Sequence, residues 1–155
     1  MNAADRTWEQ VEALGFEKPD KPDGLLPPLP HDITVLSGSQ LMHLHGEYLA
    51  WAEYAGARLV DCRSIEKDLK LKLAHSSAQA ARNATEKTVA GRKAAATADP
   101  GVQRDEQRLA DASSLVAAMD LVHENITRRV QFCSRDLSRR QISGDHELRA
   151  SKWAA

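Results

Sequence analysis

The sequence predicts an all-α fold: a long antiparallel helical hairpin of coiled-coil-like character, preceded by an extended proline-rich N-terminal arm. Three observations predict it. Apolar or small residues recur at steps of three and four over 41–73 and again over 102–137. Asp99-Pro100-Gly101 stands between the stripes, and there aspartate can cap a helix and proline can open one. Aromatic residues make up 5% of the 155 against 42% hydrophobic in all. An aliphatic, alanine-rich interior suits closely packed helices, whereas sandwiches and barrels draw on aromatic and β-branched side chains.

The elements follow in order. Residues 5–14 suit a short amphipathic helix with Trp8, Val11 and Leu14 on one side, ended by Gly15. Residues 16–37 hold Pro19, Pro22, Pro27, Pro28 and Pro30. Proline disfavours helix at its own position and at the one before it, so this segment is read as extended backbone. It is either a flexible linker or an arm that docks on a neighbouring subunit through Leu25, Leu26 and Leu29.

Ser37-Gly38-Ser39-Gln40 has the form of a capping box, which starts the first long helix. Its stripe is Leu41, Leu44, Tyr48, Trp51, Ala55, Leu59, Cys62, Ile65, Leu69 and Leu73. Gly46 and Gly56 are either tolerated weak points or places where another backbone comes close. Over 74–98 the large apolar residues give way to alanine and polar residues, predicting an alanine-packed continuation or a loose segment. The return stripe is Val102, Leu109, Ala112, Val116, Met119, Val122, Ile126, Val130, Cys133 and Leu137, with the helix ending near Gly144. The domain reading is therefore 1–38 for the short helix and arm, 39–144 for the hairpin, and 145–155 for a short tail in which Leu148 and Trp153 could dock. Folding at residue 99 would bring Cys62 to about the level of Cys133, either as small buried apolar groups or as a redox pair.

Two helices leave a long narrow apolar stripe wet, so a homo-oligomer is expected, with Leu25, Leu26, Leu29, Tyr48, Trp51 and Leu59 as candidate interface residues. No apolar run is long enough to cross a bilayer, and the start, MNAADRTWEQ, carries no signal-type apolar region. Two cysteines are too few for a disulfide scaffold, which points to the cytoplasm.

No catalytic constellation is present. The chain has no phosphate-binding glycine loop, H-E-x-x-H, C-x-x-C or G-x-S-x-G. His43 and His45 are two apart and face different directions on a helix. A non-enzymatic protein without cofactor or metal is expected.

The net charge of −1 conceals alternating blocks: −6 over 1–57, +5 over 58–98, −4 over 99–124 and +4 over 125–155. Arg128, Arg129, Arg135, Arg139, Arg140, Arg149 and Lys152 lie late in the chain, with Trp153 behind them; Arg58, Arg63, Lys67, Lys70 and Lys72 lie on the first long helix. Such clusters bind phosphates, and an aromatic side chain can stack on an unpaired base. The alternative is a solvated face paired with Glu66, Asp68 and Asp136.

The order of YLAWAEYAG on the first long helix, a polar basic middle, and LVAAMDLVHENITRRVQFCSRDLSRRQI near the end resembles the UvsY-type recombination mediators of tailed phages over residues 40–145. That resemblance implies an oligomeric helical protein that binds single-stranded DNA and helps a RecA-type recombinase displace single-strand-binding protein in the host cytoplasm. Arg135, Arg139 and Arg140 match the family's basic closing segment, and Tyr48, Trp51 and Tyr54 its aromatic first helix. The proline-rich segment departs from the family pattern. A phage structural or assembly protein, whose arm and hairpin join a multi-chain helical bundle, is the competing reading; a regulatory partner offering one helix face to a host enzyme is a third.

Overall fold

The computed structural model describes residues 2–153, and side chains within 2–144. About 80% of the chain is helix, with no strand among the described residues. The helices are α1 (Ala3–Ala13), α2 (Gly38–Asn83), α3 (Val89–Ala98) and α4 (Pro100–Trp153), with a 3-10 turn at Ile33–Val35.

The helix ends follow local chemistry. Asn2 and Asp5 form a reciprocal capping box on α1, and Gly15 takes φ +90° just beyond its end. At α2 the Ser37 amide donates to Gln40 Oε1 at 2.8 Å and the Gln40 amide to Ser37 Oγ at 3.2 Å, the box its sequence predicts. Asp99 Oδ1 accepts from the amides of Gly101 and Val102, opening α4 at Pro100. The alanine-rich stretch continues α2 to Asn83, breaks over 84–88, and resumes as α3, where Thr88 Oγ1 accepts from the Gly91 amide at 3.0 Å. Asn83, Thr85 and Thr88 favour caps and turns over helix interior, which explains the break. The return helix does not stop near Gly144. It runs to Trp153, because one glycine costs only about 1 kcal/mol and the residues beyond it favour helix.

The chain divides into two compact units. The first combines Met1–Lys18 with Ala57–Asp120, the second Pro19–Gly56 with Leu121–Ala155. This division cuts across the expected 39–144 domain.

In the first unit α2 and α4 run antiparallel. Arg63 pairs with Asp120 at 2.9 Å, Ser113 Oγ donates to Glu66 at 2.7 Å, and Lys72 lies 3.5 Å from Asp105. These pairs centre the fold-back near residues 88–92, at the start of α3, and not at Pro100. Ala57, Leu59, Cys62, Ala96 and Val102 are buried here. The α1 helix lies against α2 through Trp8 and Thr7, whose hydroxyl is 3.1 Å from Ser64 Oγ.

In the second unit Ile33, Leu41, Leu44, Tyr48 and Cys133 form a buried cluster, with Leu26, Leu36, Val130 and Leu137 packed on it. Here a β-carbon on Gly56 would meet only the His123 side chain, at an ordinary contact distance of 3.4 Å, so no close backbone approach requires this glycine. Gly46 has nothing so near. Cys133 packs with Tyr48 and its neighbours, while Cys62 is buried in the first unit; both thiols are free.

Candidate functional site

Aspartates that interrupt apolar stripes become buried charge clips. Asp61, Asp105 and Asp136 are all below a tenth exposed. A buried carboxylate must be hydrogen-bonded or paired, and each of these is. Asp61 accepts from Trp8 Nε1 at 2.6 Å, from Lys18 Nζ at 2.9 and 3.0 Å, and from Arg58 at 2.9 Å. One carboxylate thus ties both the middle of α1, through Trp8, and the chain beyond it, through Lys18, to α2. Asp61→Ala is expected to lower stability by about 1–3 kcal/mol, kept modest because Lys18 and Arg58 stay partly solvated. With Trp51→Phe and Trp153→Phe removing the other indoles, the emission of Trp8 should move to the red; unchanged emission would mean the segment stays docked without Asp61.

Of the candidate DNA-binding residues on α2, all but Lys67 are engaged, as is Lys72. Arg58 is held by Asp61, Arg63 by Asp120, Lys70 by Glu66 and Lys72 by Asp105. Ser113 and Lys70 hold the Glu66 carboxyl below its ordinary value. Lys67 makes no hydrogen bond or ion pair among the described residues.

In the second unit the late arginines divide in two by what they touch. Arg129 and Arg140 face the segment before α2. Arg129 donates to the Pro27 carbonyl at 3.0 Å and sits over the Tyr48 ring, 5.7 Å from its centroid. Arg140 donates to the carbonyls of Leu36 and Ile33 and to Asp136 at 2.7 Å. The Tyr48 hydroxyl donates to the Pro28 carbonyl at 3.0 Å. Burial raises the Tyr48 pKa against the pull of Arg129; burial, with Asp136 adding, also pushes the Cys133 thiol up. Four carbonyls of this proline-rich stretch thereby accept bonds from side chains of α2 and α4, and of the four only that of Ile33 also takes a backbone amide among the described residues, that of Leu36.

Arg128, Arg135 and Arg139 face solvent. Arg128 pairs with Glu124 and Arg139 with Asp136, yet their side chains stay 66% and 68% exposed. Arg135 is exposed and makes no hydrogen bond or ion pair among the described residues. Phe132, 46% exposed, falls between them. Positions 128, 132, 135 and 139 are spaced i, i+4, i+7 and i+11, so they share one face of α4 over about 16 Å. Composition pointed to Trp153 as the aromatic companion of this cluster; its side chain, with those of Leu148, Arg149 and Lys152, lies outside the described residues. Helical spacing around the arginines is the signal that would have found Phe132.

The candidate interface residues also separate. Tyr48 and Leu59 are buried within the chain and Leu26 packs on its core. Leu25 is 88% exposed, Leu29 is partly so, and Trp51 meets Tyr54 edge-on at 6.0 Å. No group of three His, Cys, Asp or Glu that could hold a metal ion is found, and no helix is long and apolar enough to cross a membrane, among the described residues. Comparison with protein families, curated proteins and solved structures finds no match to this chain.

Proposed function

We propose that this protein is a non-enzymatic mediator of phage DNA recombination: a helical hairpin that self-associates in a coiled-coil-like manner and binds single-stranded DNA. The observation that carries this reading is the Arg128-Phe132-Arg135-Arg139 face of α4. Exposed cations track a phosphate backbone, and an exposed ring offers a stacking platform that tolerates any base. The resemblance to UvsY-type mediators supplies the rest: a RecA-type recombinase and single-strand-binding protein as partners, in the host cytoplasm. Arg129 and Arg140, which hold the chain's own backbone, play a structural part in this reading. Exposed Leu71, Leu115, Leu121 and Ile142 give the helices apolar surface for other copies.

The test is fluorescence anisotropy with labelled single- and double-stranded DNA at several salt concentrations, on protein whose mass is set by light scattering. Phe132→Ala should weaken single-strand binding by about 5- to 100-fold. Replacing Arg128, Arg135 and Arg139 by Gln should lower the log–log salt slope by about 2. A well-folded oligomer that binds no DNA at low salt would sink this reading in favour of an assembly protein. That second reading rests on the same exposed apolar residues. It loses some ground because the proline-rich segment, its proposed wrapping arm, packs on its own helices through Leu26, Ile33 and Leu36.

A further inference from the structure

A groove of about 500 Å³ lies in the first unit between the end of α2 and α3. Its α2 wall is the alanine row Ala74, Ala78 and Ala81, and its cations are Arg82 from α2 with Arg92 and Lys93 from α3. None of the three cations has a side-chain hydrogen bond or ion pair among the described residues, and no acidic side chain lines the groove. In this they differ from Arg58, Arg63, Lys70 and Lys72, which have carboxylate partners.

Local stability accounts for Arg82, whose charge suits a helix C-terminus, but not for the other two. Arg92 and Lys93 lie just past the first turn of α3; the Glu86 carboxylate stands at that helix start, 3.3 Å from the β-carbon position of Gly91, yet pairs with neither cation. Alanines let another backbone approach closely, and the cations come from both walls. An occupant with an apolar face flanked on both sides by carboxylates fits that pattern. The alanine row spans about 10 Å, so two to three turns of helix would fill it. A nucleic acid fits less well, since no aromatic side chain lines the groove for a base to stack on.

We propose that this groove binds an acidic amphipathic helix of a partner protein. The site is separate from the Phe132 face and does not depend on the DNA-binding reading. The probe is a labelled synthetic helix with leucines at i, i+3, i+4 and i+7 flanked by glutamates, titrated into the full chain and followed by anisotropy. A lysine-for-glutamate peptide and a thymidine oligonucleotide of equal charge are the controls.

The acidic peptide should bind at least tenfold more tightly than the lysine peptide. The combined variant Arg82→Glu, Arg92→Glu, Lys93→Glu should abolish that binding, and Ala78→Trp, which fills the groove without touching charge, should weaken it tenfold or more. The milder Gln replacements at the three cations guard against misfolding, with circular dichroism as the check, and should also weaken binding. Phe132→Ala should leave it unchanged. Peptide affinity equal for both charge signs, or unaffected by both the Gln variant and Ala78→Trp, overturns the proposal. So does loss of oligonucleotide binding in the Gln variant with peptide binding intact, which would make the groove a nucleic-acid contact.

Discussion

Tyr48→Ala is expected to lower the unfolding free energy by about 3–5 kcal/mol, the range for truncating a fully buried aromatic side chain. Tyr48 is 0% exposed and packs with Leu41, Leu44, Ile33 and Cys133. Its loss removes three things at once: the ring volume, the bond to the Pro28 carbonyl, and the aromatic face under the Arg129 guanidinium. Tyr48→Phe separates them. It keeps ring and cation contact and removes only the hydroxyl, so it should cost about 1 kcal/mol. Urea unfolding at fixed protein concentration measures both, the concentration being held because association shifts apparent stability. Equal costs for the two variants would mean that the hydroxyl, and not the packing, holds the segment down.

Arg140→Ala is expected to cost about 2–4 kcal/mol, although arginine on a helix surface is ordinarily a mild loss. Only 29% of its side chain is exposed, and its donors are spent on Asp136, Leu36 and Ile33. Truncation leaves the 7%-exposed Asp136 side chain with Arg139 alone, whose own side chain is mostly solvated. Much of the cost is therefore the stranded carboxylate. The double variant Arg140→Met with Asp136→Leu should be less damaging than Arg140→Ala alone, as when a buried ion pair gives way to apolar residues of similar size. A double variant worse than the single would show that the carbonyl bonds dominate. Either way, Arg140 is a poor choice for testing nucleic-acid binding, because its replacement disturbs the core. Arg135 and Phe132 are the informative positions.

The helices were legible because period and caps agree: the Ser37–Gln40 box and the Asp99-Pro100 start both appear as read. Leu41, Leu44, Tyr48, Leu59, Cys62, Val102, Ile126 and Cys133 are buried along the stripes their spacing defines. The fold-back point was misplaced because Asp99-Pro100 is the stronger local signal, while the break over 84–88 rests on Asn83, Thr85 and Thr88 set among good helix formers. Ion pairing was the harder matter. Pairs within one helix, such as Arg58 with Asp61 or Arg128 with Glu124, are independent of register, but a shift of the fold-back point exchanges the cross-helix partners of Arg63 and Lys72. The use of Asp61 was hidden for a related reason: an aspartate within an apolar stripe reads as an interruption until the side chain it meets is known, whereas Asp136 was legible as a partner of the arginines that follow it.

The bonds from Arg129 and Arg140 to the proline-rich segment join residues 102 to 107 apart in sequence. During synthesis that interval is time. At about 5–20 residues per second, Leu41, Leu44 and Tyr48 wait roughly 5–20 s after emerging before Cys133 and Arg140 arrive to cover them. Helix and coil exchange within about a microsecond, so α2 forms and melts many times during that wait with its apolar face uncovered, a target for chaperones and proteases. The yield of folded protein thereby depends on how quickly the ribosome crosses residues 84–130, a region remote from the residues that its delay leaves exposed.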